Sequence, residues 1–380
     1  MTRVLHVITG LAAGGAEHQL RLLVAHSPDD AEVVTLTNAG TVADAIRAGG
    51  TPVTDLRMRG NRDLLALPRL VRLIRRGRFD VVHTHLYRAC VYGRLAARLA
   101  GVRRVVATEH SLGDTRIEGR LITAGVRRLY RATERLGRMT VAVSEPVATR
   151  LAGWGVRPER VTVIPNGIDA AALAFDAGLR DRVRAELGLW PSERVVGAVG
   201  RLDPGKRFDV LLRAMAGMDA TLLLVGAGPE RAALEALAAR LGLADRVRFA
   251  GEVADVRPLL CAMDVLAAPS AEETFGLAVL EALACGLPVV YASCPALESL
   301  PADAAPAAVR GAVDEADLRV ELTAALDAVV LDAALRRPGR RDPPPAVERY
   351  RIDRLAGRIS DLYQELQYGK DFRWLLQPSF

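Results

Sequence analysis

Two doubly wound α/β domains in tandem are the fold this sequence predicts, and three observations predict it. At 380 residues the chain exceeds what one hydrophobic core usually organises. Short β-branched runs alternate with longer amphipathic stretches, the pattern of βα units around a parallel sheet. That pattern opens twice in the same way, with a strand, a glycine-rich turn and a helix near residue 9 and again near residue 200.

The elements follow in order. Residues 4–9 read as an apolar strand ending at Gly10, with a helix over 16–25 after the turn. Further strands are expected at 33–36, 81–85, 105–108, 139–143 and 161–164. Residues 62–76 carry Leu64, Leu67, Leu70, Val71 and Ile74 at helical spacing. The second half restarts with a strand at 194–199, a turn through Pro204-Gly205 and a helix over 207–216. Strands at 221–225, 247–250 and 265–268 and helices at 230–241 and 276–285 complete it, the last leading into Pro288-Val289-Val290. The seam is expected within 165–189, where the strand pattern lapses. The domains then run 1–170 and 171–345, with 346–380 as a terminal helix and tail. A Pro/Arg stretch from Arg336 to Pro345 reads as a stiff linker. After it Val347, Tyr350, Leu355, Ile359, Leu362 and Leu366 form an apolar stripe that needs a surface to pack on, and the aromatic tail holds Phe372, Trp374 and Phe380.

Composition narrows the class. Half the residues are hydrophobic and a quarter charged, which fits a globular protein and excludes disordered, collagenous and disulfide-scaffold classes. Cys90, Cys261, Cys285 and Cys294 make no C-x-x-C pair and sit in apolar stretches, so buried reduced thiols are expected. That reading and the lack of an apolar run of membrane-spanning length lead to a cytoplasmic location, with any membrane contact peripheral to the inner face. Only Lys206 and Lys370 among the 51 basic residues are lysine, a bias that suggests GC-rich coding and weakens arguments from arginine counts. Two arginine-rich stretches, 57–78 and 116–138, are read first as solvated helix faces and second as holds for an anionic membrane or phosphorylated acceptor. No nucleic-acid partner is expected.

The most specific segment runs from Glu273 through Phe275-Gly276-Leu277 to Glu281, two carboxylates eight residues apart. Phe275-Gly276-Leu277 would form a helix N-terminus, whose amides and dipole suit a phosphate. A carboxylate before it could reach sugar hydroxyls and one further along could reach a ribose; a capped helix with water-facing acids is the alternative. Arg201 and Lys206 follow the second domain's first strand, at the sheet edge where ligands bind. There they would offer a planar fork and a point charge to one diphosphate. Gly14-Gly15-Ala16-Glu17 holds the mirror position in the first domain, and glycines there let the backbone approach a ligand. All six histidines fall in the first 110 residues. His83 and His85 share a strand face, but no third ligand stands at a telling spacing, so no metal site is expected. His110 follows a strand end facing the cleft, where a structural role is the alternative.

Together these segments resemble the family 4 glycosyltransferases, retaining enzymes of the two-Rossmann (GT-B) architecture. The resemblance covers nearly the whole chain in order: Gly14-Gly15-Ala16-Glu17, Thr108-Glu109-His110, the Pro165-to-Asp169 turn, Gly200-Arg201 with Lys206, Gly226-Ala227-Gly228-Pro229, and Glu273 with Glu281 as the E-x7-E signature. It implies that Arg201 and Lys206 hold the donor diphosphate, that Phe275, Gly276 and Leu277 offer backbone amides, and that Glu281 binds the ribose and Glu273 the donor sugar. Gly14 and Gly15 would let the first loop approach the diphosphate, and His110 would sit beside the transferred sugar. The terminal helix would cross back to the first domain. In place of the Gly-Gly turn of many relatives the chain reads Ser293-Cys294-Pro295-Ala296-Leu297-Glu298, which opens the question of what Glu298 does.

The expected reaction moves a hexose or N-acetylhexosamine from a nucleotide-diphosphate sugar, with UDP the commonest choice in the family. The acceptor would be a lipid-linked saccharide, a polysaccharide or a small-molecule precursor. No Asp-x-Asp pair occurs, so no cofactor or metal is expected, and preorganised cations would carry the leaving-group charge. Domain closure would exclude water. A nucleotide-sugar epimerase and a non-catalytic nucleotide-sugar sensor remain the alternatives. A pyridoxal-phosphate phosphorylase is disfavoured by the two lysines, and a dinucleotide oxidoreductase by the lack of a complete G-x-G-x-x-G.

Overall fold

The computed structural model describes residues 1–12, 14–60, 63, 65–118, 120–311, 314–334 and 340–369. Arg62, Leu64, the first part of the Pro/Arg stretch, Lys370 and the tail aromatics Phe372, Trp374 and Phe380 lie outside the described residues. The chain divides into two compact units, Met1–Gly167 joined by the chain from Ile352 onward, and Ile168–Arg351.

The first unit is built on a seven-stranded parallel sheet. Its strands are β1 (Arg3–Ile8), β2 (Asp30–Thr35), β3 (Val53–Asp55), β4 (Val81–His85), β5 (Val105–Glu109), β8 (Met139–Ala142) and β9 (Val161–Val163), in the order β3-β2-β1-β4-β5-β8-β9. A small antiparallel hairpin, β6 (Arg116–Ile117) and β7 (Arg120–Leu121), lies between β5 and β8 in sequence. Alternation along each strand sends Leu5, Val7, Val82 and Val105 to one face, under Leu70 and Ile74 of the helix Ala66–Gly77 and Ala96 of the helix Tyr87–Ala100. Val4, Val81, Val106 and Val141 go to the other face. There they meet Leu23 of the helix Gly15–His26 and Ala356, Ile359, Leu362 and Tyr363 of the helix Ile352–Tyr368. The terminal stripe thus packs on the first unit's sheet.

That stripe is not one helix. Val347 belongs to a short helix, Pro345–Arg349, and Tyr350 follows it in the second unit, donating its hydroxyl to the Ala296 carbonyl at 2.6 Å. Arg351 breaks the run by forming a parallel bridge with Ile168. Next to it Gly167 has room for no side chain, because a Cβ there would lie 2.8 Å from Ile352 Cα.

The second unit holds a six-stranded parallel sheet of β10 (Val195–Val199), β11 (Thr221–Val225), β12 (Val247–Gly251), β13 (Val265–Ala268), β14 (Val289–Tyr291) and β15 (Ala308–Arg310), in the order β12-β11-β10-β13-β14-β15. Its core packs Val196, Ala198, Leu222 and Leu224 against Phe208, Leu211 and Leu212 of the helix Phe208–Met215 and Leu322 of the helix Glu315–Ala334. In both sheets the chain order reverses beside the first strand, between β1 and β4 and between β10 and β13. The carboxyl ends of those strands flank the crevice in which doubly wound sheets take ligands. No helix among the described residues is long and apolar enough to cross a membrane.

Candidate functional site

In the second unit, the loops after β10, β11, β13 and β14 bring the sequence-predicted residues to one sheet edge. The loop after β10 is set against the loop after β11 by backbone bonds from Gly200 N to Val225 O and from Leu202 N to Ala227 O, both 2.9 Å. This close approach requires Gly226. Its φ is +135°, and a Cβ would stand 2.0 Å from the Gly200 carbonyl oxygen. Asp203 then caps a turn, Pro204–Lys206, by accepting the Gly205 amide at 3.0 Å. Lys206 leaves this turn and forms an ion pair with Glu273 from the loop after β13. Arg201 stays 60% exposed, with its Nε 3.9 Å from Asp203 Oδ2.

The segment from Glu273 to Glu281 folds as a loop and then the helix Leu277–Ala284. Gly276 caps that helix with φ +102°, and a Cβ there would meet Cys294 Sγ at 2.4 Å. Phe275 is buried edge-to-face against Tyr350, centroids 5.3 Å apart, and its carbonyl accepts the Ala296 amide at 3.0 Å. The Phe275 side chain is therefore an anchor, leaving the backbone of 275–277 at the helix N-terminus. Glu281 sits on the helix, half-buried. Glu298 accepts the Cys294 amide at 2.9 Å and pairs with Arg310 at 3.5 Å, so it closes the turn after β14.

In the first unit Gly14 caps the helix Gly15–His26 and Gly15 is exposed at its first position. A Gln19 side chain on the same helix clamps Gly167 twice, accepting its N–H at 2.8 Å and donating to its carbonyl at 2.6 Å. His110, only 8% exposed, lies just beyond β5 and hydrogen-bonds the Asn166 side chain and His85, whose Nδ1 is 3.2 Å from His110 Nε2. His85 Nε2 in turn lies 3.0 Å from His6 Nδ1. His83 is held between the Tyr363 hydroxyl at 2.5 Å and Thr108 Oγ1 at 2.7 Å. Burial pushes His6 down to about 3 and His110 down to about 4, and it holds His83 and His85 well below the usual imidazole range, with the neighbouring histidines adding to the effect. A recess of about 20 Å³ beside Gln19, His85, His110 and Asn166 has room for one water, far too little for a sugar.

Sequence reasoning missed two features here. A third imidazole does stand beside His83 and His85: His6 pairs in register with His83 across β1 and β4, and the three rings offer nitrogen atoms within 4.8 Å of one another. Those nitrogens already bond one another, Tyr363 and Thr108. The second is a fully buried Arg94. It donates to the Tyr130 hydroxyl at 3.2 Å and Thr140 at 3.3 Å, and Tyr130 donates to Glu109 at 2.7 Å. Burial raises the Glu109 carboxyl above its usual range, against the opposing pull of Arg94 and the Tyr130 bond.

A family model described as Glycosyltransferase Family 4 matches residues 2–172, and one described as Glycosyl transferases group 1 matches residues 193–330. The chain is 34% identical to a D-inositol 3-phosphate glycosyltransferase of Mycobacterium marinum, over 57% of this chain and 49% of that protein. It is 35% identical to one of Actinosynnema mirum, over 57% of each. It thus spans about half the length of the curated relatives it matches. Among solved structures, HepE of Anabaena in complex with UDP and glucose superposes with a TM-score of 0.79 at 24% identity, covering 96% of this chain and all of that one. Sucrose-phosphate synthase of Thermosynechococcus elongatus gives 0.75 at 21% identity, covering 97% and all of that chain. At these identities the structures speak for the fold. With glycosyltransferase family models matching both halves in succession on two doubly wound sheets, the chain belongs to the family 4 glycosyltransferases of GT-B type.

Proposed function

We propose that this chain transfers a sugar from a nucleotide-diphosphate sugar, with UDP as the nucleotide, to a hydroxyl acceptor, with retention of configuration and without a metal cofactor. The observation that carries the reading is the gathering of Arg201, Lys206, Glu273 and the 275–277 backbone at one carboxyl edge of the second unit's sheet. Glycosyl transfer builds positive charge on the sugar and negative charge on the departing diphosphate. Arg201 and Lys206 would take the diphosphate charge, and the helix N-terminus would add its amides and dipole. Glu273 would orient the sugar, Glu281 the ribose, and His110 would serve the transferred sugar. Gly14 and Gly15 would give the diphosphate close access to backbone. The curated relatives named as D-inositol 3-phosphate glycosyltransferases support a small polar acceptor.

The first unit also supports peripheral contact with an anionic membrane. Arg72, Arg75 and Arg76 line a groove with Leu67, Val71 and Leu99, and Leu65 and Leu99 are exposed beside it. Sedimentation with phosphatidylglycerol vesicles, but not with neutral ones, is the expected result.

The transferase reading is tested by a thermal-shift and hydrolysis screen of UDP-, GDP- and TDP-sugars with EDTA present. Stabilisation by the UDP series with slow UDP release is expected. Conversion of the donor to its epimer without an acceptor would replace the reading with an epimerase, and binding with neither transfer nor hydrolysis would replace it with a sensor.

A further inference from the structure

Register and alternation place His6 on β1, His83 and His85 on β4, and His110 just past β5 in one buried row beneath the helix Ile352–Tyr368. Three of them are joined end to end, His6 Nδ1 to His85 Nε2 at 3.0 Å and His85 Nδ1 to His110 Nε2 at 3.2 Å. His83 lies beside His85, with ring centroids 4.2 Å apart and planes tilted by 36°, but spends both nitrogens on Tyr363 and Thr108, so it stands outside the chain.

Each N···N contact needs one proton and one lone pair, and a neutral imidazole has one of each. If His85 accepts from His6 it must donate to His110; if it accepts from His110 it must donate to His6. Any other arrangement sets two N–H groups or two lone pairs against each other at hydrogen-bond distance. The three rings therefore order as a unit, all with the proton on Nδ1 or all on Nε2. Burial keeps them neutral, and a single ring cannot switch alone.

We propose that His85 and His6 are positioning residues that fix the tautomer and ring orientation of His110 through this cooperative chain. The kinetic consequence rests on the reading of His110 as serving the transferred sugar; the proton order does not. Asn166 stands beside His110 at the outer end of the row, and the terminal helix closes the inner part through Tyr363. The chain thus carries an orientation set in the sheet interior out to the strand edge.

Long-range ¹H–¹⁵N correlation spectra of the ¹⁵N-histidine-labelled full chain read the tautomers directly, with assignment by His6→Asn, His85→Leu and His110→Gln. The expected result is one shared tautomer for His6, His85 and His110. Mixed tautomers in the wild-type protein would overturn the proposal, and so would a stoichiometric divalent ion in the purified protein, since an ion takes the lone pairs the chain shares. His85→Leu is expected to lose the single His110 tautomer and to lower kcat at least tenfold with donor KM within twofold. His85→Gln, which can both donate and accept, is expected to recover at least a third of the wild-type kcat. A His85→Leu protein whose His110 tautomer is unchanged would overturn the positioning role. Full activity in His110→Gln would sink the catalytic reading of His110, while the shared tautomer would still stand or fall on the wild-type spectrum.

Discussion

Lys206 and Glu273 form an ion pair that ties the turn after β10 to the loop after β13, across the point where the second sheet reverses its strand order. Both side chains are mostly shielded, 28% and 17% exposed, so each holds the other in place at the sheet edge. An ammonium has three donors, and Lys206 can keep Glu273 while giving a bond to a diphosphate.

Removing that ammonium removes the point charge proposed for the leaving group. Lys206→Ala is expected to lower the transfer rate by more than tenfold, measured as initial velocity at saturating donor, whereas Lys206→Arg retains the charge but replaces a compact ammonium with a planar guanidinium. Loss of less than tenfold in Lys206→Ala would count against the diphosphate role.

Backbone crowding makes a second prediction. Gly226→Ala puts a Cβ against the Gly200 carbonyl in a conformation that L residues rarely adopt, and a loss of ~3 kcal/mol is expected. Gly242 also has a positive φ, +69°, but its surroundings are open, so Gly242→Ala should cost only ~1 kcal/mol. Urea denaturation of the two variants separates clash from strain; equal midpoints would remove the clash argument.

The buried Arg94 makes a third. Arg94→Met leaves Glu109 without its nearest cation, and a buried carboxylate stripped of its partner loses about 3–5 kcal/mol of stability. Adding Glu109→Gln to that variant should recover more than a third of the loss, because the amide needs no counter-charge while still accepting from Tyr130. A double variant less stable than Arg94→Met alone would refute this account.

Acid sensitivity follows from the histidine row. His6 and His110 ionise near 6.5 in the unfolded chain but only at about 3 and about 4 in the folded one. Between those values the unfolded chain binds more protons, so stability is complete above pH 6.5 and falls as the pH drops. At pH 5 each of the two should cost about 2 kcal/mol relative to pH 8. The melting temperature should fall across this interval, and the fall should be shallower in His6→Asn. A flat profile from pH 8 to pH 5 would mean that these imidazoles are not held neutral.

A strand such as β11 is legible in the sequence because the apolar run Leu222–Val225 has few other uses. The three-residue edge strands β3 and β15 and the hairpin β6–β7 are too short to show a period, and pairing alone defines them. Arg201, Lys206 and Glu273 could be read as strand-end residues from local order. The contact between Lys206 and Glu273 could not, since it depends on β10 and β13 being neighbours. The same holds for His6 and His85, which meet only through the pairing of β1 with β4. Arg94 was hidden by composition: in a chain this rich in arginine, one more on an amphipathic helix reads as surface. The stripe from Val347 to Leu366 kept its period across Arg351, where the chain breaks to pair with Ile168.

The helix Ile352–Tyr368 seals one face of the first unit's sheet, yet it is encoded after the whole of the second unit. During synthesis, then, Val4, Val81, Val106 and the histidine row emerge from the ribosome long before their cover exists. The second unit is contiguous in sequence and can complete its core first, reversing the usual order in which amino-terminal domains mature first. The nascent first unit must wait with an apolar sheet face open to water, which makes this interval the one in which a holding chaperone has most to protect.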